Sequence, residues 1–137
     1  MNKRQSDLFL ADIMQNINLL EEFTMAGEKE FFSSIKTQYA VLKCIENIGE
    51  AVKNLDVEIK NAAPCIDWKA IAGIRNVLAH QYFSVSIKLI WKIVEKDIPP
   101  LKICIAEIQE KQKKQSDNEQ SKSSEQDKGK LQEQHRG

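Results

Sequence analysis

The sequence predicts an all-α protein, an up-and-down bundle of about five helices with a disordered C-terminal tail. Three observations lead there. Apolar residues recur at steps of three and four through most of the first 110 positions, the period of a helix with one buried face. No stretch alternates apolar and polar residues as a half-buried strand would. From residue 111 onward the apolar residues all but vanish, leaving Leu131 as the single aliphatic side chain among Gln, Lys, Ser, Glu and Asp. A segment of that composition cannot bury enough surface to offset its ordering entropy. The chain therefore divides into a helical domain over 1–110 and a polar tail over 111–137, a frayed helix end followed by disorder.

The first helix is expected over 6–25, capped by Ser6 or Asp7, with Leu10, Ile13, Ile17 and Leu20 forming its stripe and Gly27 marking its end. A long second helical region covers 28–60. Phe31, Ile35, Leu42, Ile45, Gly49 and Val52 form its face, and Phe32, Tyr39, Ile48 and Leu55 widen it, with a possible break near Ser33 and Ser34. Glycine inside a helix costs about 1 kcal/mol against alanine, so Gly49 points to a close helix contact or backbone approach. Glu50 beside it is either a solvated residue or one aimed at a site. Asn61 to Ile66 form a connection, and Asp67 caps a third helix starting at Trp68, with Ile71, Ile74 and Leu78 inward and an end or kink between His80 and Phe83. Ser84 or Ser86 caps a fourth helix carrying Ile87, Ile90, Trp91 and Val94 inward. Asp97-Ile98-Pro99-Pro100 starts a fifth, with Leu101, Cys104, Ile105 and Ile108 on one side. Trp68 and Trp91 read as core anchors.

Composition narrows the function. No apolar run approaches the roughly 20 residues of a membrane span, and the N-terminus lacks the apolar region and cleavage site of a signal peptide, so a cytoplasmic protein with no membrane association is expected. The cysteines, Cys44, Cys65 and Cys104, are odd in number and far apart, which argues against a disulfide framework or a thiolate zinc site. Cys44 and Cys104 sit in apolar runs and read as small buried residues, and no metal or cofactor is expected. The tail holds seven Lys/Arg and five Asp/Glu, leaving thirteen basic and fifteen acidic residues in 1–110, a net charge of −2. A protein binding nucleic acid through its overall charge should be more basic. Any such chemistry needs a local site or a surface built by more than one chain.

One local cluster has the right chemistry. Residues advance about 100° per step in a helix, so Asn76 and His80 share a stripe while Arg75 and Tyr82 nearly eclipse on the next, opposite the aliphatic side of Ile71, Ile74 and Leu78. Arginine holds two phosphate oxygens in a planar fork without losing its charge. Histidine exchanges a proton near neutral pH. Asparagine can orient the imidazole or bind phosphate, and tyrosine can hydrogen-bond or stack on a base. Phosphodiester chemistry fits. Spacing alone leaves bland readings open: His80 as a hydrogen-bonded helix end, Arg75 as a salt-bridge residue, Tyr82 and Phe83 as core or rim aromatics. His135, in the tail, is not a site residue.

Arg75-x4-His80-x-Tyr82 resembles the signature of HepT-like toxins, part of the HEPN superfamily of small helical ribonucleases. Ile48-Gly49-Glu50-Ala51 is similar to the Gly-Glu-Ala turn of their long helix, Asp67 through Asn76 to the lead-in of the motif, and Trp91-Lys92-Ile93-Val94 with Asp97-Ile98-Pro99 to the segment that follows. The resemblance covers about residues 6–110. Ser84 and Ser86 depart from it, standing where glycine and aspartate are expected. The resemblance implies a homodimeric, metal-independent endoribonuclease with two motif copies facing each other across a cleft. Arg75 and His80 would then be catalytic, promoting attack of a ribose 2′-hydroxyl on the adjacent phosphate, with Asn76 binding or orienting. It further implies a minimal nucleotidyltransferase (MntA-type) antitoxin that transfers AMP to Tyr82. The competing reading is a non-catalytic helical dimer that binds RNA, a nucleotide or a nucleotidyltransferase.

Overall fold

In the computed structural model the backbone is described for residues 3–134 and the side chains for 4–118. Among the described residues there is no strand. The helices are α1 (Lys3–Phe23), α2 (Glu28–Ser33), α3 (Ile35–Lys53), α4 (Val57–Asn61), α5 (Trp68–Ala72), α6 (Ile74–Ala79), α7 (Phe83–Lys92) and α8 (Ile98–Gln134), with a π-helical turn at Ile93–Asp97. The all-α expectation holds, but the five expected helical regions are subdivided or fused.

The first stripe behaves as its spacing requires: Leu10, Ile13, Ile17 and Leu20 are all fully buried. Helix α1 packs chiefly on α3 and also on α8. Asn47 donates from its side chain to Asn16 Oδ1 across the α1–α3 contact at 3.1 Å. An ion pair of 2.9 Å between Lys102 and Glu21 ties the start of α8 to the end of α1. The helix begins at Lys3, before the expected cap, so Ser6 lies inside it and is buried. Gly27 has a positive φ of 94°, a conformation that side chains with a Cβ rarely adopt, and it separates α1 from α2.

The second region is cut twice. Ser34 turns extended (φ −121°, ψ 107°) and its hydroxyl accepts from the Thr37 N–H, capping α3. Asn54 ends α3, and Asp56 caps α4 through the Glu58 N–H. The first cut rotates the chain so that part of the expected apolar face looks outward. Phe31, Val41, Ile45, Ile48 and Val52 are buried, whereas Phe32, Ile35 and Tyr39 are exposed. Gln38 replaces them inside, donating its amide to the Phe31 carbonyl.

The expected start signal at Asp97–Pro100 does not open a new helix after a loop. Helix α7 runs into the π turn and then α8 without interruption, and the Ile98 N–H donates to the Ile93 carbonyl five residues back. Pro99 and Pro100 follow directly in the first turn of α8, where their missing N–H groups are tolerated. Leu101, Cys104 and Ile105 then enter the core, as expected. Helix α8 continues through 111–134, where the sequence predicts a frayed helix end followed by disorder. His135 lies outside the described residues.

Candidate active site

The site is built on the short pair α5 and α6. Asp67 Oδ1 accepts from the Ala70 N–H at 3.1 Å, which starts α5 where expected. Trp68 is buried, and its indole N–H is shared between the carbonyls of Lys60 (3.1 Å) and Ala63 (3.0 Å), fixing α5 to the connection before it. Ile71 and Leu78 are buried and Ile74 half-buried, so the aliphatic side of the pair faces the core as predicted.

Gly49 explains how closely this pair seats. A Cβ there would lie 3.1 Å from the Ile71 carbonyl oxygen and 3.7 Å from that of Ala72. Bare backbone on α3 lets the end of α5 rest on it, which is the backbone approach expected for this glycine.

The helix is not continuous through the motif. Gly73 ends α5, its N–H donating to Lys69 and its carbonyl accepting from Asn76 and Val77. His80 then terminates α6 at φ −103°, ψ 11°, outside helical geometry. Tyr82 is extended (φ −61°, ψ 146°) and occupies the N-cap position of α7, with its carbonyl accepting from Val85 and Ser86. The expected eclipse of Arg75 and Tyr82 on one helix is therefore wrong: they belong to different elements, and the chain turns between them. Neither Ser84 nor Ser86 caps α7. Ser86 is instead buried, and its hydroxyl donates to the Leu78 carbonyl over a long 3.4 Å, closing the turn that carries His80 and Tyr82.

Arg75, Asn76, His80 and Tyr82 are all exposed, Tyr82 by 87%. Within the described residues none of their side chains has a hydrogen-bond or ion-pair partner. That counts against the bland readings. Arg75 forms no salt bridge, His80 ends a helix without bonding it through the ring, and Tyr82 is not a core aromatic.

Arg75 and Asn76 share a groove of about 430 Å³ with Glu46, Gly49, Glu50 and Lys53 of α3, Lys69 and Ala72 of α5, and Gly73. Glu50, left open between solvent and site, thus lines a groove with two candidate site residues. His80 and Tyr82 lie outside that groove. Beside Tyr82, Phe83 stacks on Tyr39 with ring centroids 5.9 Å apart, and both rings are more than half exposed. Sequence reasoning missed Lys53 and Lys69. The signal was available for Lys53, which follows Gly49 and Glu50 by one turn. Lys69 stands seven residues before Asn76, on one helical stripe with it, but its approach to α3 comes from the seating of α5 on Gly49.

No group of three or more His, Cys, Asp or Glu among the described residues is arranged to hold a metal ion. No described helix is long and apolar enough to cross a membrane. Cys44 and Cys104 are buried, as expected, and burial raises both thiols above the ordinary value of 9.0; Cys65 is exposed.

The profile of the family described as "Ribonuclease HepT-like" matches residues 13–108. A Thermococcus cleftensis protein named "Probable ribonuclease HepT" is 43% identical over 101 residues, covering 73% of this chain and 92% of its own. A candidate RNase of Methanocaldococcus jannaschii is 38% identical over 103 residues, covering 74% and 94%. A second M. jannaschii protein, named as a gamma-glutamylcyclotransferase and candidate RNase, is 40% identical over 117 residues. That match covers 85% of this chain but only 53% of the longer relative. No solved structure matches the chain.

Proposed function

This chain belongs to the HepT-like ribonuclease family, and on that premise we propose that it is the toxin of a toxin–antitoxin pair, a metal-independent endoribonuclease working in the cytoplasm. The observation that carries the proposal is the unpartnered state of Arg75 and His80, held at the exposed side of an element whose other side is buried. A side chain left without partners on a well-anchored scaffold is available to a substrate.

Cleavage begins as the 2′-hydroxyl attacks the adjacent phosphorus and the bond to the 5′-oxygen breaks, leaving a 2′,3′-cyclic phosphate and a free 5′-hydroxyl. Charge builds on the non-bridging oxygens, and the Arg75 guanidinium neutralises it with paired N–H donors. His80 exchanges the proton that leaves the 2′-hydroxyl or reaches the departing 5′-oxygen. Asn76, beside Arg75 on the groove, binds phosphate or orients the imidazole.

The active unit is a homodimer in which two motifs face each other. Exposed apolar side chains near the motif, Ile35, Tyr39, Phe83 and Val85, support a second copy covering this face. Pairing also brings two Arg75 side chains to one cleft, which offsets the net negative charge of the helical domain. Regulation falls on Tyr82, whose phenol is free to accept AMP from a minimal nucleotidyltransferase antitoxin. The added phosphate and adenosine would fill the cleft and repel RNA.

A second reading, a non-catalytic dimer that binds RNA, a nucleotide or the nucleotidyltransferase, is favoured by one observation: Arg75 and His80 do not share a groove within one chain. Incubating purified wild type, Arg75→Ala and His80→Ala with total RNA separates the two. The catalytic reading expects cleavage by wild type alone, and equal cleavage by His80→Ala ends it. With the partner and ATP, AMP should appear on Tyr82 and be absent from Tyr82→Phe. Mass spectrometry finding it on Tyr39 overturns that role.

A further inference from the structure

We propose that Lys53 and Lys69 form, with Arg75, a subsite that grips the phosphodiester backbone of single-stranded RNA beside the position of cleavage. The proposal rests on the ribonuclease reading above and extends the site along the groove on α3.

The helical domain carries a net charge of −2, yet RNA is a polyanion and needs a cationic track somewhere. The groove that holds Arg75 and Asn76 provides one. It brings together three cations, Lys53 from the last turn of α3, Lys69 from α5 and Arg75 from α6, against two carboxylates, Glu46 and Glu50. Lysines near carboxylates are commonly neutralised by ion pairs. Here they are not: among the described residues neither lysine nor Arg75 is in an ion pair or hydrogen bond, and both lysines are exposed. Their charges are free for an anion entering the groove.

The shape restricts that anion. A volume of about 430 Å³ takes a nucleotide-sized segment of a single strand. Its floor is Gly49, where α5 comes within van der Waals reach of bare α3 backbone. Glu46 and Glu50 recur at four-residue spacing along the α3 wall and disfavour phosphate beside them. The backbone is thereby directed toward Lys53, Lys69 and Arg75. Lysine suits such a role: it meets phosphate as a point charge and does not require the planar pairing that arginine supplies at the reacting phosphate. Lys53 and Lys69 are thus binding residues for the flanking strand, not participants in proton transfer.

The test measures binding of a labelled single-stranded RNA oligonucleotide by anisotropy across a salt series, using the full chain with His80→Ala so that the probe stays intact. Each phosphate contact on a single strand contributes about 0.7 to the slope of log affinity against log salt. Adding Lys53→Ala and Lys69→Ala should lower the slope by about 1.4 and weaken binding on the order of 25-fold at 0.1 M salt relative to 1 M. The pair Lys53→Arg and Lys69→Arg should restore both. Lys113→Ala with Lys114→Ala, two exposed lysines on α8, should change neither. Without His80→Ala, the alanine pair should raise KM and leave kcat unchanged. An unchanged slope and affinity overturns the proposal, and so does an equal loss in the Lys113/Lys114 control. If wild type cuts RNA but the slope does not respond, the subsite falls and the ribonuclease reading stands. If the slope responds but wild type cuts nothing, the reverse holds, and if no RNA binds, both fall.

Discussion

Replacing Gly49 with alanine sets two opposing effects against each other at the contact that seats the site. Alanine in the middle of α3 should gain about 1 kcal/mol of helix propensity. Its Cβ, however, would stand 3.1 Å from the Ile71 carbonyl oxygen, where ordinary contact begins near 3.4 Å, so α5 must retreat by about 0.3 Å. The obstructing atom is backbone, held by the Trp68 and Asp67 anchors, and overpacking of this kind costs roughly 1–3 kcal/mol. The net effect is a destabilisation of roughly 0–2 kcal/mol, a fall in Tm of roughly 0–10 °C for a domain of this size. Gly49→Val adds two γ-methyl groups at the same place and should cost more. Thermal unfolding followed by circular dichroism reads the stability, and RNA cleavage measured well below Tm reads the site. Because α5 leads directly into Gly73, Arg75 and Asn76, cleavage should fall by more than the unfolded fraction explains. A rise in Tm of about 4 °C or more for Gly49→Ala refutes the reasoning, since the propensity gain would then be unopposed and α5 would not rest on this glycine.

Three other outcomes follow from particular contacts. Arg75→Ala combined with His80→Ala should leave Tm within about 4 °C of wild type, because neither side chain has a partner to lose among the described residues; a large fall would make the motif a structural helix end. Trp68→Phe keeps an aromatic ring in the core but deletes the N–H shared by the Lys60 and Ala63 carbonyls, and should cost about 1–3 kcal/mol in urea unfolding. Iodoacetamide at pH 8 should label Cys65 quickly and Cys44 and Cys104 slowly, as read by mass spectrometry. Burial raises the last two thiols in the folded state, so below the ordinary value of 9.0 they are protonated whether folded or not and pH has no effect through them. Above it the unfolded chain ionises first, so urea midpoints should decline from pH 9 upward, and less so in Cys44→Ala.

The sequence by itself determined the helical class, the buried stripe of α1, the cap at Asp67, the need for a close approach at Gly49 and the residues of the motif. These are local properties: a period of 3.6, a side chain that accepts an N–H, a residue without a Cβ. What tertiary structure decided is where the helices break and which faces meet. The break near Ser34 was legible in the sequence, but Gly73 interrupts a helix that periodicity alone would continue, because apolar spacing survives a change of axis, and the Ile93–Asp97 turn joins two helices that the sequence reads as separate. The consequences reach the site. The break at Gly73 and the turn after His80 put Arg75 and Tyr82 on different elements, and the seating of α5 on α3 brings Lys53 and Lys69 into one groove with Arg75. Helical spacing links Lys53 to Gly49 and Glu50, and Lys69 to Asn76, but it cannot relate one of these two groups to the other, sixteen residues apart at Lys53 and Lys69. Only the packing of one backbone against another, permitted by the missing Cβ of Gly49, sets them side by side.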